Sequence, residues 1–346
     1  MNAVHENEGI RVQVVLACSL CGDEGKILYQ NLRDRLFGAP GTWNLVRCPG
    51  CGLVWLNPRP LSEDIGKLYI RYHTHQAAVA VPGVAKLLRF AELAVSAAHL
   101  GYTTILQSPS QRVLGRALGW VRPIKELVEL DIMTLKAPPE KLLDVGSGSG
   151  HFLTRMRELG WDVVGVEPDA QAARVARENF GLDIREDVLE EAGFPDNSFD
   201  AVTMNHVIEH VPDPVATLHE VRRVLRPGGR AVVVTPNAES MGHRSFGEAW
   251  RGLEVPRHFH LFSPGNLKTA AERADLRVVN IRTTARSASW MYAASGLIRK
   301  NGVLPGSAPV KQGLWLWLGG LAFWLTEEGP SRAKGEGEEV VMVAAK

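Results

Sequence analysis

The stretch Leu142-Leu143-Asp144-Val145-Gly146-Ser147-Gly148-Ser149-Gly150 decides the fold. Its first residues are mainly apolar and predict a buried strand, and the glycines predict a tight turn into a helix. Gly146 and Gly148 permit unusual backbone angles and let a ligand approach the main chain. Ligands of open α/β sheets bind at the carboxyl ends of the strands, so this turn is a candidate binding site. Taken alone, it also fits an ordinary strand-to-helix connection or a nicotinamide dinucleotide site.

Short apolar strands alternate with amphipathic helices from Lys141 onward. The expected strands are LLDV, DVVGVE, FDAVTM and RAVVVTP, with helices around residues 150–159, 169–179 and 213–225. This alternation predicts a parallel sheet that helices cover on both faces. Glu167 ends the second strand, 23 residues after Asp144, where a carboxylate can accept both hydroxyls of a ribose.

Four motifs in this region resemble those of the class I S-adenosylmethionine-dependent methyltransferases. They are DVGSGSG at 144–150, VVGVEPD at 163–169, FPDNSFDAVTMNHVIEHVPDP at 194–214 and RVLRPGGRAVVVTPN at 223–237. The resemblance covers about residues 140–285, and Glu339–Val343 is similar to the family's last strand. It implies an α/β, doubly wound, Rossmann-like fold with a seven-stranded sheet, and an enzyme that uses S-adenosyl-L-methionine.

The resemblance also implies a role for individual residues at the cofactor site. Asp144 and the glycine turn would lie against the methionine half of the cofactor, and Glu167 would hold its ribose. Asp187 would flank the adenine, with Glu190 and Glu191 as competitors for that place. The end of the fourth strand would lie under the sulfonium. The complete expected set is Asp144, Gly146, Ser147, Gly148, Gly150, Glu167, Pro168, Asp187, Val188, Asn205 and His206.

Histidines supply the candidate catalytic groups. Methyl transfer from a sulfonium is an in-line displacement, and the nucleophile must be held about 3 to 3.5 Å from the methyl group. A hydroxyl nucleophile benefits from a base, which is usually histidine near neutral pH. His258 and His260 alternate, so an extended segment would place them on one face. The candidates are His258, His260 and His206; an ordered loop held by hydrogen bonds is the alternative for the first two.

Glu209-His210 forms a further pair after the fourth strand. Capping and packing of a helix start is one interpretation of this pair. In a few quinone-pathway relatives of the resembled family, the matching Glu-His is thought to bind a divalent metal, so both interpretations stay open here.

All four cysteines lie in the first 51 residues, as Cys18-Ser-Leu-Cys21 and Cys48-Pro-Gly-Cys51. The two-residue gap lets both thiolates of a pair face one ion, and two pairs complete a tetrahedral zinc site. Four thiolates leave no open position, so we expect structural Zn²⁺. Disulfides, a redox pair and unrelated buried thiols are the alternatives.

The cysteine segment together with LYIRYHTH resembles the zinc-binding front end of sugar C-methyltransferases and of related enzymes from polysaccharide or natural-product pathways. This resemblance implies that Tyr69, Tyr72, His73 and His75 reach the substrate pocket. Packing of the tyrosines between the module and the rest of the chain is the alternative.

Composition excludes several classes of protein. A core can be buried because 45% of the residues are hydrophobic and 22% are charged. The formal net charge of +1, with no Lys/Arg cluster after the cysteines, gives no reason to expect a nucleic-acid partner. No apolar run approaches the roughly 18 to 20 residues of a membrane span, and the N-terminus lacks a secretory pattern. We expect a cytoplasmic protein, or one bound peripherally at the inner membrane face.

Three domains are predicted. Residues 1–75 form the zinc-binding module, 76–136 a helical insert or cap broken by Pro82, Pro109 and Pro123, and 137–346 the methyltransferase domain. An apolar, basic insertion at 286–336 precedes the last strand. Its run LWLWLGGLAFWL suits a buried helix or one in a membrane interface, which makes lipid contact through 286–325 an alternative.

The predicted reaction is methyl transfer to a small acceptor, namely a sugar, a glycolipid or a natural-product intermediate. Oxygen is the first expectation for the accepting atom and carbon the second. The alternatives are a quinone or lipid O-methyltransferase at the membrane surface, and a non-catalytic scaffold that only binds the cofactor. The sequence is silent on the oligomeric state.

Overall fold

The computed structural model describes residues 4–69, 82–103, 108–304, 314–331 and 334–346. Tyr72, His73 and His75 therefore lie outside the described residues. The strands are β1 Val4–Asn7, β2 Ile10–Gln13, β3 Lys26–Leu32, β4 Trp43–Arg47, β5 Val54–Asn57, β6 Arg59–Pro60, β7 Lys141–Val145, β8 Asp162–Val166, β9 Asp183–Arg185, β10 Phe199–Asn205, β11 Leu225–Pro236, β12 His260–Leu261, β13 Arg277–Thr284 and β14 Glu339–Ala345. The helices are α1 Pro82–His99, α2 Pro109–Gly119, α3 Arg122–Asp131, α4 His151–Glu158, α5 Ala170–Phe180, α6 Pro214–Val224, α7 Met241–Phe246, α8 Pro264–Arg273, α9 Ala288–Asn301 and α10 Leu314–Thr326.

The large sheet has seven strands in the order β13-β14-β11-β10-β7-β8-β9. Strands β10, β7, β8 and β9 pair in parallel, whereas β13 and β14 pair antiparallel. Leu142 and Leu143 in β7 are fully buried, as expected for a parallel strand covered on both faces. The predicted α/β, doubly wound, seven-stranded fold is confirmed.

The chain divides into two compact units. The first unit comprises Met1–His73, His206–Arg222 and Val233–Lys346, and the second comprises Thr74–Asn205 and Arg223–Val232. The predicted domain 137–346 is distributed over both units, because the chain leaves the second unit after β10 and returns to it for the start of β11.

The described part of the helical insert forms α1, α2 and α3, which are divided at the three prolines that the sequence marks as breaks. Pro82 and Pro109 are the first residues of α1 and α2, and Pro123 is the second residue of α3. Proline suits these positions because its fixed φ is helical and its missing N–H would have no partner there. Each proline therefore marks the start of a new helix.

Two small sheets build the N-terminal part of the first unit, with orders β1-β2-β6 and β12-β5-β4-β3. Strand β12 pairs antiparallel with β5, so that His260 lies opposite Trp55. A common core contains the fully buried Trp43, Leu45 and Phe259. The strand that contains His260 therefore belongs to the same four-stranded sheet as β3, β4 and β5 of the N-terminal module.

Among the helices of the described residues, none has both the length and the apolar character that crossing a membrane requires.

Candidate functional site

The glycine turn after β7 forms an open cradle in the second unit. Gly146, Gly148 and Gly150 have φ angles of 70°, 53° and 82°, a region that favours glycine. The Gly146 N–H donates to the Val166 carbonyl at 2.8 Å, which holds the turn at the end of β8. A Cβ atom on Gly148 would meet nothing within 4 Å. Main-chain atoms of the turn are therefore accessible to a ligand.

Gly150 has a packing role as well. A Cβ atom here would come within 2.4 Å of Leu182 Cδ1 and 2.9 Å of Ala176 Cβ. Gly150 is also the N-cap residue of α4. The absence of a side chain thus lets α4 start close against its neighbours.

Glu167 closes one side of the cradle. Its two carboxylate oxygens accept hydrogen bonds from the Gly148 N–H at 2.8 Å and from the Asp169 N–H at 2.9 Å. These two main-chain N–H groups orient Glu167, whose carboxylate is a suitable acceptor for hydroxyl groups. This is the chemistry that the expected ribose-binding role requires.

Asp144 and Ser147 supply buried polar atoms next to the turn. Asp144 accepts a hydrogen bond from Thr203 Oγ1 at 2.6 Å. Burial raises the pKa of Asp144 to about 7, although the Thr203 hydrogen bond acts in the opposite direction. Among the described residues, the buried Ser147 Oγ has no hydrogen-bond partner. The orphan hydroxyl and the open cradle fit a polar cofactor of the kind that the resemblance implies.

The remaining expected cofactor residues of this unit lie on its surface. Pro168, Val188 and Asn205 are exposed, and the Asp187 carboxylate accepts a hydrogen bond from the Val188 N–H at 2.9 Å. An exposed apolar side chain such as Val188, at 43% exposure, is suited to cover the face of an adenine ring.

His206 heads a second group of polar residues, which lies in the first unit. Its Nδ1 contacts Glu209 Oε1 and its Nε2 contacts Glu339 Oε1, both at 3.1 Å. Burial lowers the pKa of His206, but hydrogen bonds to the two carboxylates outweigh it and raise the pKa to about 10. Both nitrogens therefore carry protons near neutral pH. This geometry makes His206 a fixed cation and gives it no lone pair with which to accept a proton.

Glu209 connects two segments of the first unit. Its Oε2 accepts a hydrogen bond from Thr235 Oγ1 at 3.0 Å, and its main-chain carbonyl accepts from the N–H groups of Phe259 and His260. Burial raises the pKa of Glu209, but the hydrogen bond with His206 outweighs it and lowers the pKa to about 2. Glu209 is thus a buried carboxylate that ties the segment after β10 to the segment of His258.

His210 and His258 lie next to each other, and His258 Nε2 is also 3.8 Å from Glu254 Oε2. His210 Nδ1 lies 3.0 Å from the Arg257 carbonyl, and His258 Nδ1 lies 2.8 Å from the Gly252 carbonyl. A carbonyl can only accept, so each Nδ1 must carry the proton and each neutral ring has its lone pair on Nε2. The ring centroids are 4.7 Å apart, and one ligand atom from each of Glu209, His210 and His258 lies within 4.8 Å of the others.

Burial and the neighbouring His210 lower the pKa of His258 to about 4, so this ring is neutral at physiological pH. His210 is only half-buried, whereas His258 is buried. Of the two rings, His210 is therefore the one that an incoming acceptor can reach.

His260 has different hydrogen-bond partners from His258. Its Nε2 accepts a hydrogen bond from Arg59 Nη2 at 3.0 Å, while Arg59 Nη1 donates to the Pro212 carbonyl at 2.7 Å. Burial and the charge of Arg59 hold the pKa of His260 well below its usual value. With its Nε2 occupied by Arg59, His260 serves to join β12 to the loop that precedes α6.

The four cysteines converge on one point. The Sγ–Sγ distances are 3.5 Å for Cys18–Cys51, 3.2 Å for Cys21–Cys48 and 3.7 Å for Cys21–Cys51. Sulfurs that surround one zinc ion tetrahedrally at about 2.3 Å are separated by about 3.8 Å, whereas a disulfide bond measures about 2.0 Å. Cys48 Sγ also accepts a hydrogen bond from the Cys51 N–H at 3.4 Å. The set fits a closed metal site and not a pair of disulfides.

Sequence reasoning left the role of His210 open, named Tyr69 as a residue that would either reach the substrate pocket or pack the module, and missed Asp34 and Arg257. The Tyr69 hydroxyl lies 3.2 Å from His210 Nδ1, and Arg257 is fully buried. The one available signal was the position of Arg257 directly before His258. Its partner could not be read from the sequence, because Asp34 lies 223 residues away.

Comparisons with known proteins agree with this geometry. A family profile described as a methyltransferase domain matches residues 117–281. A protein of Cereibacter sphaeroides named ubiquinone biosynthesis O-methyltransferase is 33% identical over 167 residues, which cover 45% of this chain and 68% of that protein. A protein of the same name from Hahella chejuensis is 31% identical over 180 residues, which cover 46% of this chain and 74% of that protein.

Other relatives of the same name are matched over less of their length, for example 64% for the Xanthomonas oryzae protein, which is 36% identical over 156 residues and 41% of this chain. Among solved structures, a SAM-dependent methyltransferase of Thermotoga maritima, described as a possible histamine N-methyltransferase, has 22% identity and a TM-score of 0.42. That similarity covers 68% of this chain and 97% of the other.

Proposed function

Since the chain belongs to the class I S-adenosylmethionine-dependent methyltransferases, we propose that it transfers the methyl group to a hydroxyl oxygen of a small aromatic acceptor. The observation that carries this proposal is the orientation of His210, whose Nδ1–H donates to the Arg257 carbonyl and whose Nε2 remains an acceptor. An oxygen nucleophile must lose its proton during the transfer, and a histidine with a fixed tautomer is suited to accept it.

S-adenosylmethionine supplies an activated methyl group on a sulfonium, and the chain's own residues bind and orient the reactants. Asp144, Glu167 and the glycine turn hold the cofactor in the second unit. In the first unit, His210 Nε2 accepts the proton of the acceptor hydroxyl. Glu209 is held ionised by His206, and its carboxylate favours the positive charge that His210 then gains.

The relatives support an acceptor of the quinone-precursor type over a sugar, a glycolipid or a natural-product scaffold. The relatives from Cereibacter sphaeroides and Hahella chejuensis are named ubiquinone biosynthesis O-methyltransferase, and this name indicates oxygen as the accepting atom. A phenolic hydroxyl has a pKa of about 10, which brings its deprotonation within reach of a histidine base.

A second candidate for activating the hydroxyl is a divalent cation bound by Glu209, His210 and His258. Their ligand atoms lie within 4.8 Å of one another, and each histidine donates its Nδ1–H to a carbonyl, as metal-bound histidines usually do. Two imidazoles and one carboxylate are a common donor set for Zn²⁺ and similar ions. Such an ion would polarise the acceptor oxygen in place of a histidine base.

We also propose that the four cysteines hold structural Zn²⁺. The Sγ separations of 3.2 to 3.7 Å support one shared ion, and four thiolates leave no position for a substrate. The ion would stabilise the N-terminal module without taking part in methyl transfer.

A peripheral contact with lipid remains a proposal for residues 286–325. Leu318, Leu321 and Leu325 are exposed on α10, at spacings that place them on one helix face. Phe323, on the same helix, is buried against Ala285 and Ala288. An exposed leucine face next to a packed one supports a helix that lies on a membrane surface, where a hydrophobic quinone precursor would be found.

The test is methyl transfer by the purified, zinc-loaded protein to a dihydroxylated benzoate, detected as the mass gain of one methyl group. His210→Gln should reduce kcat by about a hundredfold or more, which is the usual contribution of a general base. His219→Gln, an exposed histidine on α6, is the matched control and should keep full activity. Loss of activity on chelation with the cysteine site still loaded would favour the divalent cation. No transfer to any phenolic acceptor by protein that binds the cofactor would refute the proposal.

A further inference from the structure

We infer that Asp34 and Arg257 are positioning residues, through which the N-terminal module holds His210 in the tautomer that accepts the acceptor's proton. The inference rests on the proposed function of His210. The ion pair between Asp34 and Arg257 lies outside the cofactor cradle and the cysteine cluster, and it would act in methyl transfer by orienting His210.

Arg257 is anchored by its side chain to the N-terminal module. Its Nη1 and Nη2 donate to Asp34 Oδ2 at 2.7 Å and to Asp34 Oδ1 at 3.0 Å, with both side chains fully buried. The Nε donates to Glu254 Oε1 at 3.2 Å and Nη1 also contacts the Leu68 carbonyl at 3.3 Å. Such a forked pair fixes both position and direction, which a lysine in the same place would not do.

Asp34 is itself rigidly held between β3 and β4. Its carboxylate accepts hydrogen bonds from the main-chain N–H groups of Leu36 at 2.9 Å, Phe37 at 3.1 Å and Ala39 at 2.9 Å. The same two oxygens thus organise the loop and bind the guanidinium. The side chain of Arg257 is therefore attached to a well-defined part of the module and not to a movable surface group.

The main chain of Arg257, whose position the ion pair with Asp34 fixes, contacts His210 directly. Its carbonyl is the acceptor for the His210 Nδ1–H at 3.0 Å. The Tyr69 hydroxyl, which follows Leu68 in the module, lies 3.2 Å from the same Nδ1. Because a carbonyl can only accept, a fixed Arg257 forces the proton onto Nδ1 and leaves Nε2 free. If residue 257 moved, His210 would lose the contact that selects between its two tautomers.

Stability alone is a weak reason for this ion pair. Replacing a buried pair by apolar residues of similar volume is often neutral or stabilising, whereas misplacing a catalytic group by about 1 Å can cost about a hundredfold in rate. The geometry therefore points to orientation of His210 as what the pair contributes.

The experiment compares Asp34→Asn with Glu8→Gln and with the double variant Asp34→Asn, Arg257→Met. Glu8 is the matched control, because its carboxylate accepts from the Gly41 N–H of the same loop at 3.1 Å and pairs with Arg33 at 2.9 Å, without touching Arg257. The double variant removes both charges of the pair and leaves no unpaired buried charge. It can therefore be measured in place of Asp34→Asn if that variant does not fold.

The primary readout is the tautomer of His210, measured from ¹⁵N–¹H correlations of its ring in zinc-loaded, full-length protein. We expect the wild type and Glu8→Gln to show Nδ1–H alone, and both Asp34 variants to show a mixture with Nε2–H. The secondary readout is kcat, which should fall about a hundredfold in the Asp34 variants while S-adenosylmethionine affinity stays unchanged.

The inference would be overturned if His210 of the double variant showed only the Nδ1–H tautomer. It would also be overturned if Glu8→Gln showed the same mixture of the Nδ1–H and Nε2–H tautomers as the Asp34 variants. The tautomer does not depend on the acceptor. If the variants change the tautomer but the wild type methylates no phenol, the proposed function fails and the positioning role stands.

Discussion

Replacing Glu167 with glutamine should weaken the binding of S-adenosylmethionine and should also leave one of the two main-chain N–H groups that contact the carboxylate without this acceptor, because an amide nitrogen cannot accept a hydrogen bond. The carboxylate accepts hydrogen bonds from the N–H groups of Gly148 and Asp169, and it is expected to accept hydrogen bonds from the two ribose hydroxyls as well. A hydrogen bond to a charged acceptor contributes about 1.5 to 3 kcal/mol. Glutamine keeps one acceptor oxygen, so its variant should bind about 10- to 100-fold more weakly, and alanine should lose both contacts, about 3 to 6 kcal/mol.

Calorimetric titration with S-adenosylmethionine and S-adenosylhomocysteine measures this effect without any acceptor. Glu158→Gln is the control, because Glu158 is an exposed carboxylate at the opposite end of α4 and pairs with Arg89. It should bind the cofactor as the wild type does. Unchanged affinity in Glu167→Ala would refute the assignment of the ribose to this residue. Equal weakening in Glu158→Gln would show that the loss is not local to the cradle.

The other predictions concern the N-terminal module and the surface of α10. Cys48→Ser should lower the bound zinc below one ion per chain and reduce the melting temperature, as measured by elemental analysis and calorimetry; full zinc retention would argue against the four-thiolate site. Asp34→Asn leaves Arg257 buried without its carboxylate and should cost about 3 to 5 kcal/mol of unfolding free energy at neutral pH. Burial raises the pKa of Asp34, but Arg257 outweighs this effect and holds the pKa below its usual value. The difference in unfolding free energy between the wild type and Asp34→Asn should therefore be present above about pH 4 and should shrink as the pH falls through the lowered pKa. A difference that persists in acid would contradict this origin. Leu321→Glu combined with Leu325→Glu should abolish flotation with lipid vesicles, and a wild-type protein that does not float would refute lipid contact.

The elements with local patterns could be predicted from the sequence. A run such as Leu142–Val145 is apolar throughout because both faces of the strand are covered, and the glycines after it are required by their φ angles. The cysteines are equally local, since a two-residue spacing already brings two thiolates of a pair together. Fold class and metal-binding pattern therefore depend on residues that are near neighbours in the chain.

The polar network of the first unit could not be predicted in this way. Arg257 meets Asp34 across 223 residues, and His210 takes its tautomer from a carbonyl 47 residues away. Arg59 reaches His260 across 201 residues. No periodicity or spacing encodes such contacts, because they depend on tertiary structure, in which β12 pairs with β5 although the two strands are far apart in the chain.

The four histidines of this network show why a motif cannot rank candidate bases. His206 has a carboxylate on each nitrogen and is a cation, while burial keeps His258 neutral. His260 has its Nε2 occupied by Arg59. Only His210 combines a fixed Nδ1 proton, partial exposure and a carboxylate neighbour that can stabilise its protonated form. What each imidazole can do therefore follows from what its two nitrogens contact, and for two of them these contacts involve an arginine: the main-chain carbonyl of Arg257 for His210, and the side chain of Arg59 for His260.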